Sequence, residues 1–555
     1  MNTVGDVANT YMAALVDLDP IVGTEVGDAG SSTRLPDFSP DGIDARVALV
    51  TETLSALEKV AADGDPDRRA RTVMTEALEV QRDRHRIGDP YRQLRNYDAP
   101  LDEIRIAFDL MPSATADEWV AVVARMAAVP AAVDGVEATL REGLARGLPA
   151  PRRQAAVVEA QARTWGGVSG NGYFTRLLGD APALPAALRA DAERAATAAE
   201  AALARHAEFL ATEYAPSAVD TDAVGRERYA VAARSHTGMV LDLDATYAWG
   251  WEELRRVRGE MDATAARIVD GGGLDAARDL LNSDPARAIH GVEAFREWLQ
   301  ALTDRSIDEL DGRHFDIAPQ ARRLECMIAP PGGAAAMYYT SPSQDWSRPG
   351  RTWYPAGERT VFPTWEEVST AYHEGVPGHH LQQVCAMTAE PALTAFQRFY
   401  FNPGHGEGWA LYAERLMDEL GYHEQPDTRL GMLTASAFRA ARVVVDIGLH
   451  LDLLIPAGEE FHPGERWDFD LARHFIGNHI ARGDAFVTSE ILRYLGMPGQ
   501  AISYKIGERE WLDIRADVRA RQGPGFDLRA FHSHALGLGP MGLAQLRSEM
   551  TQRAW

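Results

Sequence analysis

The sequence predicts a mainly α-helical fold with one small β-sheet, and three observations support this prediction. Long stretches of the chain repeat apolar residues at three-and-four spacing, which places them on one face of a helix. Breaks rich in Pro and Gly separate these stretches, for example DGDPD at 63–67 and DGGG at 270–273. Near residue 313 the pattern changes to short apolar runs divided by Pro and Gly, which is typical of strands.

The predicted helices of the first three hundred residues share the amphipathic spacing and lie at 44–63, 65–86, 116–146, 185–214 and 244–269. The predicted strands are the short runs HFDI, RRLECMIAP and AAAMYYTSP, and the aromatic-rich segment PSQDWSRPGRTWYPAGERTVFP that follows predicts an ordered loop. Helices resume at 364, where Thr364 and Glu367 have capping-box spacing, and continue near 406–420, 430–453, 467–481 and 484–496.

No low-complexity linker forces a domain boundary. For convenience we divide the chain into a helical scaffold half, residues 1–310, and a half that carries the small sheet and the candidate site, residues 311–555. We expect the two halves to form one continuous catalytic unit.

The composition excludes several classes of protein. The chain has 555 residues, 46% apolar content and a net charge of −25, which argues against nucleic-acid and anionic-membrane partners. Cys326 and Cys385 make neither a disulfide framework nor a zinc-ribbon spacing. The N-terminus lacks a basic segment before an apolar run, and no stretch approaches the ~18 apolar residues of a membrane span. These features favour a cytoplasmic protein.

The segment AYHEGVPGHHLQQ at 371–383 predicts a metal site. His373 and Glu374 begin the His-Glu-x-x-His pattern, in which two histidines one helical turn apart bind zinc and the Glu acts on the metal-bound water. Here Pro377 occupies the place of the second histidine. We expect Val-Pro-Gly to form a two-residue bulge that makes His379 the ligand, with His380 behind it, or the reverse if the bulge holds three residues.

The third ligand is expected to be a carboxylate on a later helix. In GHGEGWALYAERL, Glu407 follows the breaker NPGHG and is the preferred ligand, because flanking glycines let a helix end approach a metal. Glu414 lies two turns further on the same face and is expected to orient a histidine. The competing interpretation is a purely structural cluster, in which buried histidines form hydrogen bonds with carboxylates and bind no metal.

Three further residues are candidates for catalysis. MPGQAISYKIGERE places Tyr504 and Lys505 after a Pro-Gly turn, and a Tyr hydroxyl is a common donor to a developing oxyanion. Lysine occurs elsewhere only at Lys59, which favours a specific role for Lys505. His450 shares a helix face with Asp446. The two could be a competing metal pair, but an Asp that orients a His, or a surface pair, is favoured. His450 is also a candidate helper of Tyr504.

The segments HEGVPGHH, GEGWALYAE, RVVVDIGLH and MPGQAISYKIGE, with others nearer the N-terminus, resemble the bacterial domain-of-unknown-function family 885, which is grouped with gluzincin-type zinc metallopeptidases. The resemblance runs almost end to end. It implies a mostly helical fold with a deep cleft, and one zinc ion held by His373, one of His379 and His380, and Glu407. It also implies that Glu374 is the general base.

The resulting hypothesis is a zinc metallopeptidase that cleaves short peptides. Glu374 takes a proton from the attacking water and returns it to the leaving amine, and Tyr504, assisted by Lys505 or His450, stabilises the oxyanion. Two alternatives stay open: a zinc amidohydrolase that acts on acylated amino acids, and a non-catalytic binding protein on a peptidase scaffold. The sequence does not identify the substrate, the choice between exo- and endo-cleavage or the oligomeric state.

Overall fold

The computed structural model describes residues 3–329, 337–343, 345–389, 391–480 and 483–552, and it confirms the mainly α-helical fold. The chain forms two compact units. The first comprises Met1–Val231, Leu449–Leu451 and Thr488–Pro498, and the second comprises Ala232–Gly448, Asp452–Val487 and Gly499–Trp555. The boundary therefore differs from the division that we drew near residue 310.

The helices that begin in the first unit are α1 (Val4–Leu18), α2 (Pro20–Glu25), α3 (Pro40–Lys59), α4 (Gly64–Arg86), α5 (Pro100–Asp109), α6 (Ala116–Ala145), α7 (Arg152–Trp165), α8 (Tyr173–Gly179), α9 (Ala186–Phe209) and α10 (Arg226–Thr237). The core of this unit lies around α6 and α9, where Trp119, Met126 and Leu203 are buried.

Helix α6 is the one helix of the described chain that is long and apolar enough to cross a membrane, and half of its apolar window is buried inside the protein. Arg125 lies near its middle with 0% exposure, and its guanidinium donates to the carbonyl oxygens of Ala107, Arg34 and Ser31. This burial and bonding are those of a core helix.

The helices that begin in the second unit are α11 (Leu243–Ile268), α12 (Gly273–Ser283), α13 (Val292–Leu310), α14 (Glu367–Glu374), α15 (His379–Met387), α16 (Ala395–Phe399), α17 (Pro403–Glu419), α18 (Pro426–His450), α19 (Phe469–Gly477), α20 (Asp484–Gly496), α21 (Ser503–Gln522), α22 (Leu528–Gly537) and α23 (Leu543–Gln552).

Two small sheets precede α14. The strands are β1 (Ala288–His290), β2 (Leu324–Ile328), β3 (Tyr338–Thr340), β4 (Gly350–Tyr354) and β5 (Val361–Pro363). Strands β1 and β5 pair antiparallel, with Ile289 opposite Phe362. The other sheet has the order β2-β4-β3, in which β4 runs parallel to β2 and antiparallel to β3.

Several local expectations need correction. The run HFDI forms no extended strand: Phe315 makes only an isolated bridge to Asp311. The aromatic-rich loop contains β4 and β5, which the interspersed Pro and Gly concealed. The predicted strand AAAMYYTSP begins at residues that lie outside the described ranges. The capping box fails because the Thr364 hydroxyl donates to the Arg287 carbonyl oxygen and α14 begins only at Glu367.

Helices α17 and α21 approach each other backbone to backbone. A Cβ atom placed on Gly408 would lie 2.4 Å from the Gly507 Cα atom, so each position requires glycine. The glycine after Glu407 therefore serves helix packing, which differs from the role near a metal that we expected. This close crossing fixes the helix that carries Glu407 and Glu414.

Candidate metal centre

The segment between α14 and α15 determines where the histidines lie. The expected bulge is a complete break, in which α14 ends at Glu374 and α15 begins at His379. Gly378 closes the break: its amide donates to the Tyr372 carbonyl oxygen at 3.0 Å, and a Cβ atom there would lie 1.9 Å from the His373 carbonyl oxygen. Only glycine permits this tight return of the chain.

Trp409 on α17 holds the break in place. Its indole Nε1 donates to the carbonyl oxygens of Pro377 at 2.9 Å and Gly378 at 3.3 Å, and its side chain is fully buried. Since Trp409 lies only two residues after Glu407, one helix positions both the break and the candidate carboxylate.

His373, His379 and Glu407 form a cluster that could hold a metal ion, because one ligand atom from each lies within 4.8 Å of the others. The Glu407 Oε2 atom is 3.4 Å from His373 Nε2 and 3.5 Å from His379 Nε2. The two imidazole rings are nearly perpendicular, with centroids 4.8 Å apart. Glu407 lies in the second turn of α17, since that helix already begins at Pro403.

A second carboxylate lies behind His373. The Glu414 Oε1 atom accepts from His373 Nδ1 at 2.7 Å, and the Ser369 hydroxyl donates to the other oxygen of the same carboxylate. Glu414 is 3% exposed. With Nδ1 engaged in this way, the Nε2 atom of His373 is the one directed towards Glu407.

The electrostatics of the cluster follow from burial and from these contacts. Burial alone would lower the pKa of His373, but Glu407 and Glu414 outweigh it and raise the pKa to about 10. Burial acts to raise the pKa of Glu407, but the neighbouring imidazoles of His373 and His379 outweigh it and hold the pKa well below its ordinary value. Burial raises the pKa of Glu374.

His380 does not belong to the cluster, which corrects its place among the candidate ligands. Its Nδ1 atom is 2.9 Å from the Tyr339 hydroxyl, and its Nε2 atom is 2.9 Å from the Ala321 carbonyl oxygen. The ring is fully buried, and this burial lowers its pKa to about 4. Both nitrogens are therefore engaged on the side of the three-stranded sheet.

A cavity of about 170 Å³ opens onto this centre, and His373, Glu374 and Glu414 line it. Glu374 is 8% exposed. Helix α18 also lines the cavity, with apolar and cationic side chains. The cavity therefore gives a small molecule access to His373 and Glu374 together.

Lys505 is not available for chemistry. It is 1% exposed, and its ammonium group contacts the Ser436 hydroxyl at 2.8 Å, a Glu253 oxygen at 2.9 Å and a Glu508 oxygen. These three contacts use the three donors of an ammonium group. A buried ion-pair network explains why a lysine stands there, and nothing in this arrangement supports the expected catalytic role of Lys505.

His450 is likewise enclosed by the protein. It is fully buried, its Nε2 atom lies 3.0 Å from the Tyr494 carbonyl oxygen, and its ring contacts that of Tyr229. Burial lowers its pKa to about 4. Tyr504, in contrast, has its ring 5.0 Å from the guanidinium carbon of Arg442, which is a residue of the cavity wall.

The sequence analysis missed the contribution of α18 to the site. Thr434, Phe438 and Arg439 line the cavity, whereas the sequence analysis considered only Asp446 and His450 of this helix. Their spacing of three and four marks one helix face, but nothing in the sequence indicates what that face contacts. Ser369, one turn before His373, was missed for the same reason.

The fold and site thus define a mainly α-helical protein with a buried His-His-Glu cluster that could hold a metal ion. The family model described as "Bacterial protein of unknown function (DUF885)" matches residues 20–550. The chain belongs to this family, which confirms the resemblance seen in the sequence. No curated protein matches the chain.

Two solved structures share the fold. The "putative lipoprotein from Colwellia psychrerythraea" is 23% identical, with a TM-score of 0.83 over 100% of this chain and 99% of its own. The "putative lipoprotein of unknown function from Shewanella oneidensis" is 17% identical, with a TM-score of 0.77 over 99% of this chain and 100% of its own. A Pyrococcus furiosus carboxypeptidase, 11% identical over 92% of this chain and 94% of its own, has a TM-score of 0.38, which does not establish a shared fold.

These comparisons contradict the cytoplasmic location expected from the sequence, because both structures of this fold are described as lipoproteins. The expectation rested on an acidic composition, two free cysteines and the first residues of the chain. None of these features distinguishes one cellular compartment from another.

Proposed function

We propose that the protein is a zinc-dependent hydrolase, a metallopeptidase that cleaves amide bonds of short peptides. The observation that carries this proposal is the cluster of His373, His379 and Glu407 beside the carboxylate of Glu374. Two imidazoles and one carboxylate are a ligand set of catalytic zinc sites, which keep a fourth position open.

The two distances from Glu407 to the histidines fit such an ion. Ligands at about 2.0–2.1 Å from a tetrahedral zinc ion are about 3.3 Å from each other. Glu407 Oε2 lies 3.4 Å and 3.5 Å from the two Nε2 atoms, which is longer than an ordinary N–H···O hydrogen bond and close to that tetrahedral edge. This spacing favours a metal site over the competing structural cluster.

Each residue then has a defined role. When bound, zinc polarises the substrate carbonyl and lowers the pKa of a coordinated water towards 7. Glu374 accepts the proton of the attacking water and donates it to the leaving amine. Glu414 fixes the ring of His373, as carboxylates commonly do for metal-binding histidines.

Two features of the surroundings support a peptide substrate. Met337 lines the cavity and directly precedes β3, an edge strand of the three-stranded sheet, so an extended peptide could pair with that edge. Tyr504 is the remaining candidate for the donor that stabilises the oxyanion, because its ring packs on Arg442 of the cavity wall.

The first test is the metal content of protein purified without chelator, together with an anomalous-scattering map at the zinc edge. We expect one zinc ion per chain, bound by His373, His379 and Glu407. Substoichiometric metal with no gain on adding zinc would favour a binding protein and would overturn the proposal.

The second test is Glu374→Gln, assayed on a panel of short peptides and acylated amino acids. We expect the variant to retain zinc and to lose turnover, because the amide cannot accept the proton. Near-full activity in this variant would refute the mechanism. Turnover of acylated amino acids alone would reassign the enzyme as an amidohydrolase.

A further inference from the structure

One face of helix α18 forms a wall of the cavity that opens onto the metal centre. Its lining positions are 431, 434, 435, 438, 439 and 442, which repeat at intervals of three and four residues and so share one helix face. Thr434 and Arg439 are the hydrogen-bond donors of this face, together with Arg442 further along. His373 and Glu374 line the same cavity.

Thr434 and Arg439 present polar atoms without a partner. Thr434 is 3% exposed, and its Oγ1 atom is buried and makes no hydrogen bond within the described chain. The buried Nε atom of Arg439 also lacks a hydrogen-bond partner, and no described carboxylate lies within ion-pair distance of this guanidinium. Buried donors are normally satisfied, so two unsatisfied donors in one cavity wall indicate a ligand.

Arg442 differs from Arg439. Its guanidinium carbon lies 4.2 Å from the centroid of the Phe438 ring and 5.0 Å from that of Tyr504, so its planar group is held between aromatic rings. Arg439 remains the cation directed to the cavity, and its charge acts on both Glu374 and Glu414. The guanidinium whose Nε atom lacks a partner therefore interacts electrostatically with the proposed general base and with the carboxylate that orients His373.

The chemistry of these donors selects the ligand. A guanidinium matches the two oxygens of a carboxylate, and a neighbouring hydroxyl adds a third donor. Glu366 and Glu374 line the same cavity, so a group with a single negative charge is favoured over a doubly charged phosphate. Ala435 and Phe438 provide apolar surface beside the two donors.

We propose that Thr434 and Arg439 bind a free carboxylate of the substrate. This inference rests on the proposed hydrolase and specifies it: the enzyme acts on short peptides with a free C-terminal carboxyl group and cleaves near that end. Arg439 is then a residue that determines specificity, and blocked C-termini are poor substrates.

The experiment compares N-acetylated tripeptides of Ala, Leu and Phe that carry either a free carboxyl group or a C-terminal amide. For the zinc-loaded protein we expect kcat/KM to be about 10- to 100-fold higher for the free acids, which is the range for a charged hydrogen bond. Because the charge of Arg439 also acts on Glu374, Arg439→Met can change the turnover of both series. The specific effect that we expect of Arg439→Met and Thr434→Val is a ratio of kcat/KM for acids over amides that falls towards 1. Arg473→Met, on the surface of α19 and paired with Asp484, is the matched control.

Binding separates this proposal from the hydrolase itself. The same peptides are titrated calorimetrically into zinc-loaded Glu374→Gln and into its Arg439→Met double variant. Preferential binding of the acids that depends on Arg439 supports the carboxylate site even if no peptide is hydrolysed. Three results overturn the proposal. The first is hydrolysis of acids and amides at equal rates, and the second is equal binding, or no binding, of both series. The third is a fall in kcat/KM or affinity in Arg439→Met that is the same for acids and amides.

Discussion

Glu414 provides the sharpest test of how the metal centre is organised. The change is Glu414→Gln, which keeps the size of the side chain and removes its charge. In the structure the carboxylate accepts from His373 Nδ1 at 2.7 Å and from the Ser369 hydroxyl, with 3% of the residue exposed. Among the residues that the structure describes, its carboxylate contacts His373 and Ser369, so we expect the substitution to act on zinc through His373.

The expected magnitude follows from this contact. Replacing the carboxylate that orients a metal-binding histidine typically costs about 10- to 100-fold in metal affinity. This corresponds to about 1.4–2.8 kcal/mol, within the range for one buried charge-assisted hydrogen bond. Glu407→Ala removes a metal ligand itself and with it a coordinate bond. Its loss of zinc affinity should therefore be much larger than that of Glu414→Gln.

The assay is a zinc competition titration against a chromophoric chelator, with circular dichroism to establish that each variant is folded. The matched control is Glu419→Gln, at the exposed end of the same helix, where the carboxylate pairs with Arg515. The control should bind zinc with wild-type affinity. Wild-type affinity in Glu414→Gln would refute the reasoning, because it would show that this hydrogen bond does not position the histidine.

Three further predictions concern the same region. His379→Ala should abolish stoichiometric zinc, whereas His380→Asn should keep it, as measured by metal-to-protein ratios; the opposite result would reverse the assignment. Gly408→Ala should lower the free energy of unfolding by ~1–3 kcal/mol in urea denaturation, because the added methyl group overpacks against α21. The control is Gly259→Ala on α11, where no atom lies within 4 Å of the added Cβ atom; it should raise the free energy of unfolding by up to ~1 kcal/mol. Zinc at a hundred times its Kd should stabilise the folded protein by ~2.7 kcal/mol, seen as a melting temperature that falls with chelator and recovers with zinc; no change would contradict binding to the folded state.

The helices could be predicted from the sequence because their signal is local. The predicted helix at 116–146 corresponds to Ala116–Ala145, and that at 185–214 to Ala186–Phe209. Apolar spacing, proline and glycine are all properties of neighbouring residues. The sheets were harder: β4 pairs with β2 and β3 across segments that carry turn residues, so its formation depends on contacts that are distant along the chain.

The site could be predicted only in part, for a similar reason. The types of residue at 373, 374 and 407 indicate metal chemistry, and the structure does bring His373, His379 and Glu407 together. The roles of Lys505 and His450 could not be judged from the sequence, because they depend on burial and partners. Lys505 meets Glu253, which lies some 250 residues earlier in the sequence.

The break after Glu374 explains both the departure from the His-Glu-x-x-His pattern and how the cluster is held. In an unbroken helix the backbone hydrogen bonds would fix the two histidines relative to each other. Here His373 stands near the end of α14 and His379 at the start of α15, so no continuous helix joins them. Their spacing depends instead on Gly378, on the indole of Trp409 and on the close packing of α17 against α21. The cluster is therefore built by tertiary contacts, and substitutions at these supporting positions should disturb it as strongly as substitutions beside the histidines.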